Sequence, residues 1–350
     1  MKVPSSPYVR FKITVMRMLR NRLFLIVIFL VGIAVGFFID KLHIFKEKQI
    51  TSYNLQRLYL NSSGLVNPLI LVENSAGGDS KLESIKYSIQ EYIDKCKQRG
   101  DASNVSVYLR DLNKGTWIGI DEDKNYAAAS LIKMPLMLVY LKTAEQRPAI
   151  LSEEIKYDTT IEEVPQNVIP EDTVKLGNTY TVEQLLDYMI RYSDNAAGSL
   201  LLKNIDTKLI VDLYSNLQLP VPDFTEYDYQ VSAKTFATFF RVLYNATFLN
   251  EYFSSKALKL LSKTDFSGGI VASVPADIVV AHKFGERRYA NKMFSSEGTQ
   301  LHDCGIVYYP KGPYLICVMT KGSDFNTLKG IIKDISKIVY EQEEKTMDVY

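Results

Sequence analysis

The chain has 350 residues, 47% of them hydrophobic, and a formal net charge of +1 from 41 Lys and Arg against 40 Asp and Glu. That apolar content supports a sizeable core and excludes a disordered chain. The near-neutral balance, with both signs mixed beyond the first segment, excludes nucleic acid as the main partner. Cys96, Cys304 and Cys317 are too few and too scattered for a disulfide framework or a Cys-rich metal site, so no metal or other cofactor is expected.

Residues 1–22 form a basic tail carrying Lys2, Arg10, Lys12, Arg17, Arg20 and Arg22 with no acid among them. Residues 23–39 follow as an uncharged apolar run of 17, at the short end of what spans a bilayer as a helix. The flanking charge predicts a cytoplasmic N-terminus and an extracytoplasmic remainder. A cleaved signal peptide is the rival reading, but the basic region is long and no small-x-small site follows, so an uncleaved, single-pass anchor in the cell membrane is expected. Residues 40–80 read as a stalk with a short apolar patch, Val66 to Val72, and a flexible end, Ser75 to Ser80.

The folded domain is expected over 81–345. Leu82, Ile85, Ile89, Tyr92, Ile93 and Cys96 recur at helical spacing. Val105, Val107 and Leu109 then alternate as in a strand, and Thr116 to Ile120 pairs back across the turn Asp111 to Gly115. Helical patterns dominate from about 130 to 265, including Leu185, Leu186, Met189 and Ile190, then Phe236, Phe239, Phe240 and Leu243. Strand patterns return at Asp277 to Lys283, His302 to Tyr309 and Tyr314 to Thr320, and Leu328 to Val339 closes the domain as an amphipathic helix. The fold class is therefore α+β: an antiparallel sheet of about five strands flanked by terminal helices, with an all-helical subdomain inserted and a cleft between the parts. A turn at Pro310 to Pro313 would set Cys304 and Cys317 diagonally, roughly 7–8 Å apart and beyond disulfide reach.

Ser130-Leu-Ile-Lys133 sits where an extended segment runs into an apolar helix, so the lysine falls one turn on, within reach of the hydroxyl. A partly desolvated lysine amine has a lowered pKa and can take a serine proton, while the helix N-terminus favours developing negative charge. The ordinary structural reading makes Ser130 a helix cap and Lys133 a solvated lysine. Ser193-Asp194-Asn195 lies between two helices, where it reads either as a capping turn or as a proton relay (Ser193) with a substrate-amide donor (Asn195). Lys283-Phe284-Gly285 ends a late strand, placing a cation and a close backbone approach at the cleft. A second K-x-G, Lys175 to Gly177, precedes Ser193 and ends no strand. The order S-x-x-K, S-D-N, K-x-G, each in its proper setting, outweighs the three separate structural readings.

At these residues the chain resembles the serine β-lactamase and penicillin-binding family, most like the class A β-lactamases and their membrane-anchored relatives, from about Leu82 to Tyr340. The resemblance implies a β-lactamase/transpeptidase-like fold with Ser130 acylated, Lys133 an acylation base and Ser193 and Asn195 lining the cleft. It further implies Lys283 and Gly285 on the opposite wall, and an oxyanion hole from the backbone N–H groups of Ser130 and Glu286. The substrate would be a β-lactam or a D-alanyl peptide. Phe284 stands where the family carries a hydroxyl for the substrate carboxylate, which leaves anion recognition to Lys283 with Arg287 or Arg288. No E-x-x-L-N glutamate occurs between Leu219 and Thr235; Glu226 and Asp228 are candidates to position water, against the plainer reading of solvated loop acids. Three readings follow: a hydrolase of β-lactam amides, a slowly deacylating penicillin-binding peptidase or sensor, and a non-catalytic cell-wall-binding relative, the first preferred. His282 is expected on the strand face opposite Lys283, and His302-Asp303-Cys304, neighbours on one strand, are not expected to converge.

Overall fold

A computed structural model of the chain describes residues 64–67, 79–161, 166–222, 229–288 and 298–345. The chain divides into two compact units, Met1–Leu58 and Tyr59–Tyr350, the first wholly outside the described residues. The apolar run 23–39, most of the expected stalk, Glu226 and Asp228 lie outside them too. Among the described residues no helix is long and apolar enough to cross a membrane.

Helix α1 (Ser80–Arg99) opens on Asp79, whose side chain accepts from the Lys81 N–H, and stops at Gly100, where φ is 75°. Strands β1 (Asn104–Asp111) and β2 (Trp117–Ile120) form the expected hairpin. The sheet is completed at the far end of the chain by β7 (Val280–Arg287), β8 (Thr299–Val307) and β9 (Tyr314–Gly322), in the antiparallel order β2-β1-β9-β8-β7. β7 is thus an edge strand. It runs past Lys283, where a strand end was expected, to Arg287.

The period-two pattern divides the side chains between two cores. Val105, Val107, Leu109, Ile316 and Val318 face one layer, made of α1 and the closing helix α8 (Phe325–Lys345) with Ile331, Ile332 and Ile335. Tyr108, Ile306, Leu315, Cys317 and Met319 face the helical insertion. That insertion is built around α2 (Lys133–Gln146), buried nearly all round, with α3 (Val182–Arg191), α4 (Asn195–Lys203), α5 (Thr207–Asn216) and, beyond α6 (Ala233–Tyr244), which lies on β1, β8 and β9, α7 (Glu251–Leu261) against it. It is less purely helical than expected. Short ladders join β3 (Asn125–Ala127) to β6 (Gln230–Ser232) and β4 (Glu154–Lys156) to β5 (Thr179–Thr181).

Two expectations are corrected. The diagonal offset of Cys304 and Cys317 does not hold: Pro310 occupies the second position of a turn closed by Gly312 N–H to Tyr309 O, so Val307 faces Tyr314 and Cys304 directly faces Cys317. Their Cα atoms are 3.9 Å apart and the sulfurs are joined as a disulfide in the buried sheet face. The second correction concerns the stalk. Val66 is buried, Asn67 N–H donates to Tyr244 O, and the Tyr308 hydroxyl donates to Leu65 O, so this part of it packs on the domain.

Candidate active site

Ser130 is delivered by a short extended segment fixed from below. The Ala127 N–H donates to the Gln300 side chain at 3.1 Å, and the Ala127 carbonyl accepts from His302 Nε2 at 3.1 Å. His302 Nδ1 accepts from the Thr320 N–H, which assigns the proton to Nε2, and burial pushes this imidazole down to about 4, keeping it neutral. The chain then bends through Ala129, at φ 48°, into a 3₁₀ turn, Ala129–Ile132, that hands over to α2 at Lys133. This turn has no side-chain cap, so the Ser130 hydroxyl does not do the work of a helix cap. A three-residue repeat stacks Lys133 directly over Ser130.

Lys133 Nζ lies 2.9 Å from Ser130 Oγ, 2.5 Å from Ser193 O, 2.7 Å from Asn195 Oδ1 and 3.3 Å from Ser193 Oγ. Burial lowers its pKa to about 7, against the opposing pull of Asp194 and Glu286. A neutral amine has two N–H donors and one lone pair. Ser193 O and Asn195 Oδ1 can use the donors, leaving the lone pair for the Ser130 proton.

The S-D-N connection joins α3 to α4. Ser193 adopts φ 55°, and Asp194 caps α4 by accepting from the Ala197 N–H at 2.8 Å. Its other oxygen accepts from the Thr173 hydroxyl at 2.5 Å and the Val174 N–H at 2.9 Å. The capping reading of this motif is therefore correct for Asp194, while the residues on either side of it serve Lys133.

From the sheet, Lys283 Nζ donates to Ser193 Oγ at 2.9 Å and to Phe284 O at 2.8 Å. It is fully buried; burial first, then the neighbouring Lys133, hold it well below the usual lysine range. The two lysines bracket Ser193. Gly285 lets β7 press on the nucleophile turn: a Cβ there would stand 3.0 Å from Ala128 O and 3.1 Å from Leu131 N. Phe284 points to the other side of the strand, where it is buried and stacks on Phe266 at a centroid distance of 4.4 Å.

Thus Ser130, Lys133, Ser193, Asn195 and Lys283 form one hydrogen-bonded cluster, with Gly285 packed beside it. Glu286 stands next on the strand. Its carboxylate accepts from Asn167 N–H (2.8 Å), Asn167 Nδ2 (2.7 Å) and Val168 N–H (2.8 Å), contacts that the sequence did not announce. Arg287 sits at the end of β7 opposite Gln300, four residues beyond Lys283. His282 faces away from Lys283 as expected and bonds Asp303 at 2.9 Å on the sheet face that packs against α1 and α8. His302 and Asp303 point to opposite faces, and neither bonds Ser130. Among the described residues no group of His, Cys, Asp and Glu could hold a metal ion.

The chain is similar in sequence and fold to known proteins. The chain is 26% identical over 271 residues to a β-lactamase of Bacillus licheniformis, covering 73% of this chain and 83% of that one. A class A β-lactamase from Mycobacterium abscessus superposes with a TM-score of 0.61 at 19% identity, covering 73% and 99% of the two chains. A PBP-A variant, solved as its acyl-enzyme with penicillin G, gives 0.61 at 20% identity, covering 75% and 97%. A family model described as "Beta-lactamase enzyme family" matches residues 85–342, the stretch from α1 through the S-x-x-K, S-D-N and K-x-G segments to α8. With the fold matched and that model spanning the whole domain, the chain belongs to the Beta-lactamase enzyme family and is a serine hydrolase.

Proposed function

We propose that this protein opens β-lactam amides through an acyl-enzyme on Ser130, with its catalytic domain held outside the cell membrane by residues 23–39. The observation that carries the reading is the 2.9 Å contact between the Ser130 hydroxyl and a lysine amine lowered to about 7. Neutral Lys133 takes the hydroxyl proton as Oγ attacks the lactam carbonyl carbon. The backbone N–H groups of Ser130 and Glu286 receive the resulting oxyanion, whose collapse breaks the C–N bond. Ser193 Oγ, between the two lysines, passes a proton to the leaving nitrogen. Water then hydrolyses the ester and restores the hydroxyl. The buried disulfide fits an oxidising compartment, in keeping with the extracytoplasmic placement.

A second reading, a penicillin-binding peptidase that deacylates slowly, is favoured by the absence of an E-x-x-L-N glutamate between Leu219 and Thr235. One experiment separates them. A chromogenic cephalosporin and a fluorescent penicillin are followed in parallel: turnover beyond one equivalent establishes hydrolysis, and stable labelling without turnover establishes the slow form. Ser130→Ala is expected to abolish both signals while leaving the circular dichroism spectrum unchanged; labelling that survives it removes Ser130 as the nucleophile.

A further inference from the structure

We infer that the side chain of Glu286 is a positioning residue that fastens the segment 166–174 across the mouth of the Ser130 cleft, and that its release admits substrate. The inference rests on the function proposed above, but it assigns the Glu286 carboxylate a part separate from its backbone N–H.

The segment is bolted at both ends to opposite walls. At its far end Thr173 and Val174 bond Asp194, in the connection between α3 and α4 on the helical side. At its near end Asn167 and Val168 give three N–H groups to Glu286, on the sheet edge. Those two walls already touch at the floor of the cleft, where Lys283 meets Ser193. A chain that joins them again further out must bridge the opening. Between its fastenings Ile169 is 86% exposed, while Val168 packs beside Glu286's end on the core that holds Phe266 and the Tyr188 hydroxyl donates to Asp172 at 3.1 Å near the other, so the bridge is held at its ends. Glu171 N–H adds one long contact, 3.4 Å, to Asp265.

The two fastenings differ in what they would cost to undo. Asp194 also caps α4 and is 2% exposed, so freeing it would unpick the catalytic connection. Glu286 caps nothing else, and the Asn167 partners are solvent-exposed, so water can replace their hydrogen bonds. The bridge therefore opens at the Glu286 end. Phe284 and Glu286 alternate onto the same side of β7, where Asn167, Val168, Phe266 and Arg288 line a cavity of about 570 Å³. The released segment has that space beside it.

The test uses the full chain in three forms, wild type, Glu286→Ala and Asn167→Ala, all of which keep the backbone N–H at 286. Hydrogen–deuterium exchange reads the amides of 166–174, with those of α2 as the internal reference. Acylation by a bulky fluorescent penicillin gives the second-order rate. Glu286→Ala is expected to speed exchange in the segment alone and to raise the acylation rate about tenfold, the scale of one lost charge-assisted hydrogen bond. Asn167→Ala, which loses one bond of three, should fall between. Exchange unchanged by Glu286→Ala overturns the fastening, and acylation unchanged or slowed overturns the gate. A merely structural role would slow the reaction, not speed it. Should the wild type never be acylated, the proposed function fails and the exchange result decides the fastening by itself.

Discussion

A lysine surrounded by oxygens either holds a proton or removes one, and at Lys133 the buried setting decides. Four oxygen contacts within 3.3 Å would suit an ammonium, yet burial brings the pKa to about 7. Above that pH the amine is neutral and can act as base; below it the lone pair is taken. Acylation of Ser130 is therefore expected to rise with pH through about 7 and then level off, read as the labelling rate between pH 5.5 and 9. Lys133→Arg keeps a charge that no accessible pH removes, and should lower the rate about a hundredfold or more across that whole range. A profile that is flat in the wild type would exclude Lys133 as the base. The Ser130–Lys133 pair was legible because its geometry is local, three residues on one turn. The hold on Ala127 by Gln300 and His302 was not, since both come from β8, far along the chain.

At the level of the element, β7 carries the most information per residue. Its K-x-G motif gave Lys283 and Gly285 to the cleft, but the strand pattern in the sequence ended at Lys283. The strand continues because Phe284 finds Phe266 and Glu286 finds Asn167, partners that no local pattern announces. The cysteines teach the same lesson about register. With Pro310 in the second turn position instead of the first, the pairing shifts by two residues and a disulfide becomes possible. Gly285→Ala tests the close approach of β7 to the nucleophile turn. The new Cβ would meet backbone atoms of Ala128 and Leu131, which cannot yield as a side-chain tip can. Overpacking of this kind costs about 1–3 kcal/mol. The strand should move outward with the Glu286 N–H, slowing acylation about tenfold or more as an oxyanion donor is displaced. Equal labelling rates for variant and wild type would mean that the strand has room to spare.

Over the whole molecule, the division into terminal helices, sheet and inserted helical block followed from where the two periodicities alternate along the chain. What the pattern missed was the start of the domain. The stretch taken as stalk contributes Val66, 2% exposed, together with two hydrogen bonds through Leu65 and Asn67. Their docking rests on contacts with Tyr244 and Tyr308, far along the chain, which no local pattern announces. Val66→Ala in the full chain should cost about 2 kcal/mol, the scale of a core truncation, seen as a lower urea midpoint at unchanged slope. No shift in the midpoint would return this segment to the stalk.

The strand order has a further consequence, for how the protein is made. β1 lies between β2 and β9, so one of its edges is completed by a strand made some two hundred residues later. A ribosome releases the β1–β2 hairpin first, then the entire helical block with β7 and β8, and only then Tyr314–Gly322. Until that moment an apolar strand edge stands open, the kind of surface that pairs with other chains. The nascent protein thus carries that open edge from the hairpin until β9 is made, and the addition of β9 ends the exposure.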